Sequence, residues 1–181
     1  MKKRWFILGI VLIFMLILGM FVYFSTAAPS KPAENVENPS SGLSEADALA
    51  GFNSDYVNYL VFAIGGWKLH NSPVYNEKPV IKVTVDGENF ASEIANGVIS
   101  TEKKDIDNAD IEIITSKQEI INSIRSGDIK KYVQDSIAAG KTSLELKAGY
   151  STLFSKGYLN LYKDITGKGF TGSAVRIFEQ G

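Results

Sequence analysis

The sequence predicts an α+β domain: one five-stranded, mostly antiparallel sheet with helices on its apolar face, preceded by a single transmembrane helix. Three observations predict it. Trp5 to Phe24 is an apolar run without a charge. From Pro79 to Thr115 apolar residues recur with period two. After Ser116 they recur at helical spacing, interrupted by one more alternating stretch.

The apolar run comes first in the chain. A helix rises about 1.5 Å per residue, so a run of this length spans about 30 Å, the thickness of a bilayer's hydrocarbon core. Trp5 and Tyr23 stand at its ends, where amphipathic rings favour the headgroup layer. A cleaved secretory signal is the competing reading, with Ser25-Thr26-Ala27-Ala28 as its cleavage site. The apolar core of such a signal is usually about 7–15 residues, shorter than this run, so a retained anchor is expected. Lys2, Lys3 and Arg4 precede the run and only Lys31 follows it closely, which places the N-terminus in the cytoplasm and the domain outside. The expected organisation is a basic tip (1–4), a transmembrane helix (5–24), a Pro- and Ser-rich linker (25–42) and a domain (43–181).

Within the domain, Ser44-Glu45-Ala46-Asp47 is a helix start, with a capping hydroxyl and acids in the first turn. Asn53-Ser54-Asp55 restarts the helix; Tyr56, Tyr59, Leu60 and Ala63 follow at helical spacing, and Gly65-Gly66 ends it. Ile81, Val83 and Val85 alternate with Lys82, Thr84 and Asp86 in a strand with one wet face. Asp86-Gly87 and Asn96-Gly97 are hairpin signals on either side of the strand carrying Phe90, Ser92 and Ile94. Lys103 to Asn108 reads as a third turn before the strand of Ile111 and Ile113, so the four strands are expected to form an antiparallel meander.

Ser116 and Glu119 match a capping box, opening a helix with Ile120, Ile121 and Ile124 on one face and Gly127 as its stop. Asp128 starts the next helix, with Ile129, Tyr132, Val133 and Ile137 inward and Gly140 at its end. Thr142 to Ala148 is a fifth strand, with Leu144 and Leu146 inward. One last helix is expected from Tyr150 to Ile165, its broad stripe holding Leu153, Phe154, Gly157, Tyr158, Leu161 and Tyr162. Val175 and Ile177 are candidates for a short edge strand.

Little in this sequence points to catalysis. The formal net charge is −1, and since Lys2, Lys3 and Arg4 contribute +3, the remainder carries −4. Such a surface gives no electrostatic case for nucleic acid. There is no cysteine, which excludes disulfides, thiolate metal sites and cysteine nucleophiles. His70 is the single histidine and lacks the partners of a zinc site or an activated nucleophile. Asp105, Asp107 and Asp110 lack the glycine and distal glutamate of a calcium loop. Gly65-Gly66 and Gly167-Lys168-Gly169 match no phosphate loop. The expectation is a binding domain, not an enzyme, without metal or cofactor. An apolar ligand site would leave this little chemistry in a sequence.

The order of elements from Pro79 onward resembles the sterol carrier protein type 2 family. The stretches that carry the resemblance are Pro79 to Gly87, Asn108 to Ser116, Ile124-Arg125-Ser126-Gly127-Asp128, and Ala139 to Leu146, followed by an amphipathic C-terminal helix. The likeness covers roughly residues 79–166, about half the chain, and its motifs are short. Two departures stand out: the added membrane anchor, and Ala148-Gly149-Tyr150 where the family has a glycine-rich turn. The resemblance implies a hydrophobic tunnel that binds a sterol, an acyl chain or another lipid without catalysis. Its lining would be Ile120, Ile124, Tyr132, Val133, Leu146, Leu153, Phe154, Tyr158 and Leu161, which are equally the expected core. The alternative is an extracytoplasmic interaction module that docks a partner protein through its sheet or helices. A filled core and an exposed apolar patch would mark that alternative.

Overall fold

The computed structural model describes residues 13–15, 36–73 and 76–168. The chain divides into two units, Met1–Ser30 and Lys31–Gly181. Ile13, Phe14 and Met15 are helical; the rest of the expected transmembrane run, most of the linker and the strand expected at Val175 and Ile177 lie outside the described residues. Among the described residues, no helix is long and apolar enough to cross a membrane.

The second unit begins with α1 (Glu45–Ala50) and α2 (Ser54–Ala63). Ser44 Oγ accepts from the Asp47 N–H at 3.1 Å and Asn53 Oδ1 from the Asp55 N–H at 2.9 Å, so both starts are capped as expected. Gly65, at φ 102°, takes the left-handed conformation that ends α2 and leads into a 3₁₀ turn, Gly66–Lys68. The sheet holds β1 (Val80–Val85), β2 (Glu88–Ala95), β3 (Val98–Lys103), β4 (Ile111–Thr115) and β5 (Ser143–Leu146). Asp86 and Gly87 (φ 50° and 83°) and Asn96 and Gly97 (φ 52° and 80°) are both left-handed, the turn geometry that tight hairpins prefer.

The meander does not continue to β4. The strand order is β3-β2-β1-β4-β5, and β4 lies beside β1 in parallel, with Ile81 opposite Ile111 and Val83 opposite Ile113. The other three pairings are antiparallel. Lys103 to Asn108 is therefore no turn: β3 keeps Lys103, and the chain then crosses the sheet's outer face, with Asp105 Oδ1 2.6 Å from Lys82 Nζ. Burial gives the reason. Ile111 and Ile113 belong beside the buried Ile81 and Val83, whereas Val98, Ser100 and Glu102 are exposed and suit an edge.

Helices α3 (Lys117–Arg125) and α4 (Ile129–Ala138) connect β4 to β5. Ser116 Oγ caps the Glu119 N–H at 3.2 Å, but the Glu119 carboxylate accepts from Ser136 Oγ at 2.8 Å, where the capping box had it reaching back. The expected single C-terminal helix is two, α5 (Tyr150–Ser155) and α6 (Tyr158–Thr166). Gly157 separates them at φ 88°, which an L side chain resists. One core joins α1 and α2, the inner sheet face, α3, α4, α5 and α6, and it includes Val57, Leu60, Ile81, Phe90, Ile111, Ile121 and Ile165.

Candidate functional site

Where α2, α3 and α4 meet β4, the packing leaves a void of about 20 Å³. Its apolar lining is Leu60 and Ile64 at the end of α2, Ile113 from β4, Ile120 from α3, and Tyr132 and Val133 from α4. The polar lining is Thr115, Glu119, Ser123, Ser136 and Thr142, and four of these are joined in a chain. Thr115 Oγ1 and Thr142 Oγ1 are 2.9 Å apart, Thr142 Oγ1 and Ser136 Oγ 2.8 Å apart, and Ser136 Oγ donates to Glu119 Oε2 at 2.8 Å. Ser123 Oγ donates instead to the Ile120 carbonyl at 2.7 Å. An apolar seam flanked by convergent hydroxyls is the usual composition of a small-molecule site. Its volume holds about one water, so the tunnel implied by the resemblance is filled here.

Of the residues expected to line that tunnel, Ile120, Tyr132 and Val133 line the seam. Ile124, Leu153 and Leu161 are buried elsewhere in the same core. Leu146 is half-buried on β5, opposite Ile111. Phe154 is a correction: it is 65% exposed and lines nothing inside. The break at Gly157 shifts the helical phase, so α5 buries Leu153 and turns Phe154 outward, stacked on Tyr150 with ring centroids 6.2 Å apart.

Tyr158 is buried, but it faces a polar group that sequence reasoning missed. Its hydroxyl donates to Asp110 Oδ2 at 2.9 Å. Lys156 Nζ lies 2.9 Å and 3.1 Å from the two Asp110 oxygens and donates to the Lys78 carbonyl at 3.0 Å. The Val80 N–H adds a third donor to Asp110, at 2.8 Å. Asp110, Lys156 and Tyr158 are all buried. Burial pushes the Tyr158 phenol well above its ordinary range, and the Asp110 charge and hydrogen bond add to the shift. With both Asp110 oxygens hydrogen-bonded and Lys156 engaged, this cluster pins the α5–α6 junction to the start of β1 and β4. No local signal in the sequence pointed to it: on one continuous helix Lys156 falls opposite the apolar stripe, and it is the break at Gly157 that lets it turn inward.

The remaining sequence candidates stand apart. His70 Nδ1 is 3.1 Å from the Asn71 carbonyl, in a loop. Asp105 is held below the usual carboxylate range by its hydrogen bond from Lys82, which is itself raised by Asp105. Among the described residues, no group of three His, Cys, Asp or Glu could hold a metal ion. A larger cleft, about 220 Å³, lies on the outer sheet face beneath the crossover, lined by Val80, Ala91, Glu93, Ser100, Glu102, Lys104, Ile106 and Asn108. Its carboxylates and amide suit water better than an apolar ligand.

No family model matches the chain. No curated protein matches it either. Among solved structures, it is similar to a UbiJ-SCP2 ubiquinone synthesis protein, at 10% identity over 68% of this chain and 93% of that one, with a TM-score of 0.38. It is also similar to a double mutant of the sec-alkyl sulfatase PisA1, at 14% identity over 80% of this chain and 20% of that one, with a TM-score of 0.42.

Proposed function

We propose that this chain is a non-enzymatic domain, tethered to a membrane through residues 5–24 with its N-terminus in the cytoplasm, that holds a lipid or another hydrophobic ligand in the seam between α2, α3, α4 and β4. The observation that carries this reading is the seam's lining, six apolar side chains beside the chain of hydroxyls that ends on Glu119. A ligand with an acyl chain and a polar head matches that composition. The order of elements from Pro79 onward, like that of the sterol carrier protein type 2 family, is consistent with it.

Ligand sites usually offer about 300–1,000 Å³, so an acyl chain must displace something. Helix α4 is the element suited to move. It supplies Tyr132 and Val133, packs on α2, α3 and α6, and is flanked by Gly127 and Gly140 at φ 79° and 72°. Solvent extraction of the purified full chain, followed by mass spectrometry, tests the reading. A stoichiometric co-purifying lipid is the expected result. Absence of any lipid, together with no saturable uptake of a fluorescent fatty acid, would sink it. The second reading, a module that docks a partner protein, is favoured by the filled core and by the exposed Tyr150–Phe154 stack.

A further inference from the structure

The hydroxyls of the seam have a direction, and that direction restricts the head of a ligand. A hydroxyl has one hydrogen to give, and a carboxylate only accepts. Lys141 Nζ, on a mostly exposed side chain, lies 3.5 Å from Glu119 Oε1, which leaves Oε2 to the hydroxyls. Ser136 spends its hydrogen on Oε2, at 2.8 Å. Thr142 Oγ1, 2.8 Å from Ser136 Oγ, must therefore donate to it. Thr115 Oγ1, 2.9 Å from Thr142 Oγ1, must donate in its turn. Ser123 spends its hydrogen on the Ile120 carbonyl. The serine and threonine hydroxyls of the seam thus have no hydrogen left for a ligand, and the chain they form ends on an acceptor.

Opening the seam does not reverse this. Ser136 is carried by α4, the element suited to move, whereas Glu119 belongs to α3 and Thr142 stands just before β5. When α4 shifts, Glu119 Oε2 loses its donor and Thr142 its acceptor. The Glu119 side chain is only 12% exposed, and an acceptor left unpaired at such a site is costly. The group that enters has to give a hydrogen to Glu119 and take one from Thr142. An alcohol does both. An ester only accepts. An ionised acid only accepts and also sets a like charge beside Glu119.

We infer that the seam selects a hydroxyl-headed amphiphile, whose alcohol group takes the place of the Ser136 hydroxyl between Glu119 and Thr142. This rests on the ligand-binding reading given above and names the head that the reading leaves open.

The test is displacement of a fluorescent fatty acid from the full chain, purified in detergent. The competitors are decanol, methyl decanoate, decanoate and decylamine, each with a protein-free detergent blank. The inference expects decanol to displace the probe at about one tenth of the concentration that the ester or the acid needs, the effect of one buried acceptor left unpaired. It also expects Glu119→Gln, whose amide both donates and accepts, to bring the alcohol-to-ester ratio close to one. If that variant does not fold, the order of competitors on the wild type decides alone. An ester or acid that competes as well as decanol overturns the inference and leaves the binding reading standing. Decylamine that displaces the probe where decanol does not shows that the Glu119 charge is recognised without the hydroxyl chain, and this overturns it too. Tyr132 brings a further hydroxyl to the lining. A ratio that survives Glu119→Gln and collapses in Tyr132→Phe moves recognition to that phenol and overturns the assignment. A chain that binds no probe sinks both the inference and the reading beneath it.

Discussion

Two regions of the core treat buried polarity in opposite ways. At the start of β1 and β4, Asp110, Lys156 and Tyr158 bring full charges inside and satisfy each one with short hydrogen bonds. At the other end of β4, the seam holds only neutral hydroxyls, one carboxylate and an incompletely filled apolar pocket. A saturated charged network tolerates little displacement, because any opening strands a charge in low dielectric. Opening the seam costs dispersion contacts and the Ser136 hydrogen bonds to Thr142 and Glu119, and a ligand with an apolar chain and a polar head restores contacts of both kinds. On the function proposed above, the first region sets shape and the second takes the ligand.

The largest effect is expected where the charges are. Asp110→Ala leaves Lys156 buried without its partner and removes the acceptor of Val80 and Tyr158. Breaking a buried pair in this way costs about 3–5 kcal/mol, to be read as a lower urea midpoint at unchanged slope. If the variant unfolds at the wild-type midpoint, the pin is not structural. Tyr158→Phe removes one donor to the same carboxylate and keeps the ring. It is expected to cost about 1–3 kcal/mol in the same assay, and a double-mutant cycle with Lys156→Met should show the two to be coupled.

The seam should answer with the opposite sign. Val133→Ile adds one methylene beside a void of about 20 Å³. Cavity filling of this kind gains about 0.5–2 kcal/mol, whereas the same methylene in a tightly packed core would cost about 1–3 kcal/mol. Differential scanning calorimetry decides between these signs.

The smallest effect sits between the two regions, where α6 meets α4 and the 3₁₀ turn. Burial raises the Asp164 carboxyl, but its hydrogen bonds from Lys130 at 3.1 Å and Lys68 at 3.2 Å outweigh this, so its pKa lies below the ordinary value. A carboxylate with a depressed folded pKa contributes stability that is present above its unfolded pKa, about 3.9, and is lost as the pH falls through the folded value. All three partners are at least a third exposed, so solvent screening keeps the contribution under about 1 kcal/mol. Asp164→Asn should therefore flatten the acid limb of the stability profile slightly and leave stability near pH 7 lower by the same small amount.

Local chemistry was legible in the sequence. Asp86-Gly87 and Asn96-Gly97 gave the hairpins, and Ser44, Asn53, Ser116 and Asp128 gave the helix starts, because each acts on its own backbone within a few residues. Pairing was less legible. Period two reports which face Ile111 and Ile113 occupy, not which strand lies beside them, so the parallel β1–β4 pair was out of reach. The stripe from Leu153 to Ile165 continues across Gly157, which concealed the break and misplaced Phe154.

The site was legible in part for similar reasons. Ile120 and Val133 lie on plain apolar helix faces. Leu60 and Ile64 lie before Pro79, outside the stretch that resembles the carrier family. Ser136 and Thr142 look like solvent residues until α4 and the start of β5 bring them together. The Asp110–Lys156 contact spans 46 positions and has no local signature in the sequence.

The claim that the seam binds a hydrophobic ligand is tested most directly by titrating the full chain and its Val133→Phe variant with a fluorescent fatty acid. Saturable binding by the wild type, lost in a variant that still unfolds cooperatively, is the result this account predicts. Binding that survives the substitution, or a wild type that takes up no ligand, would contradict it.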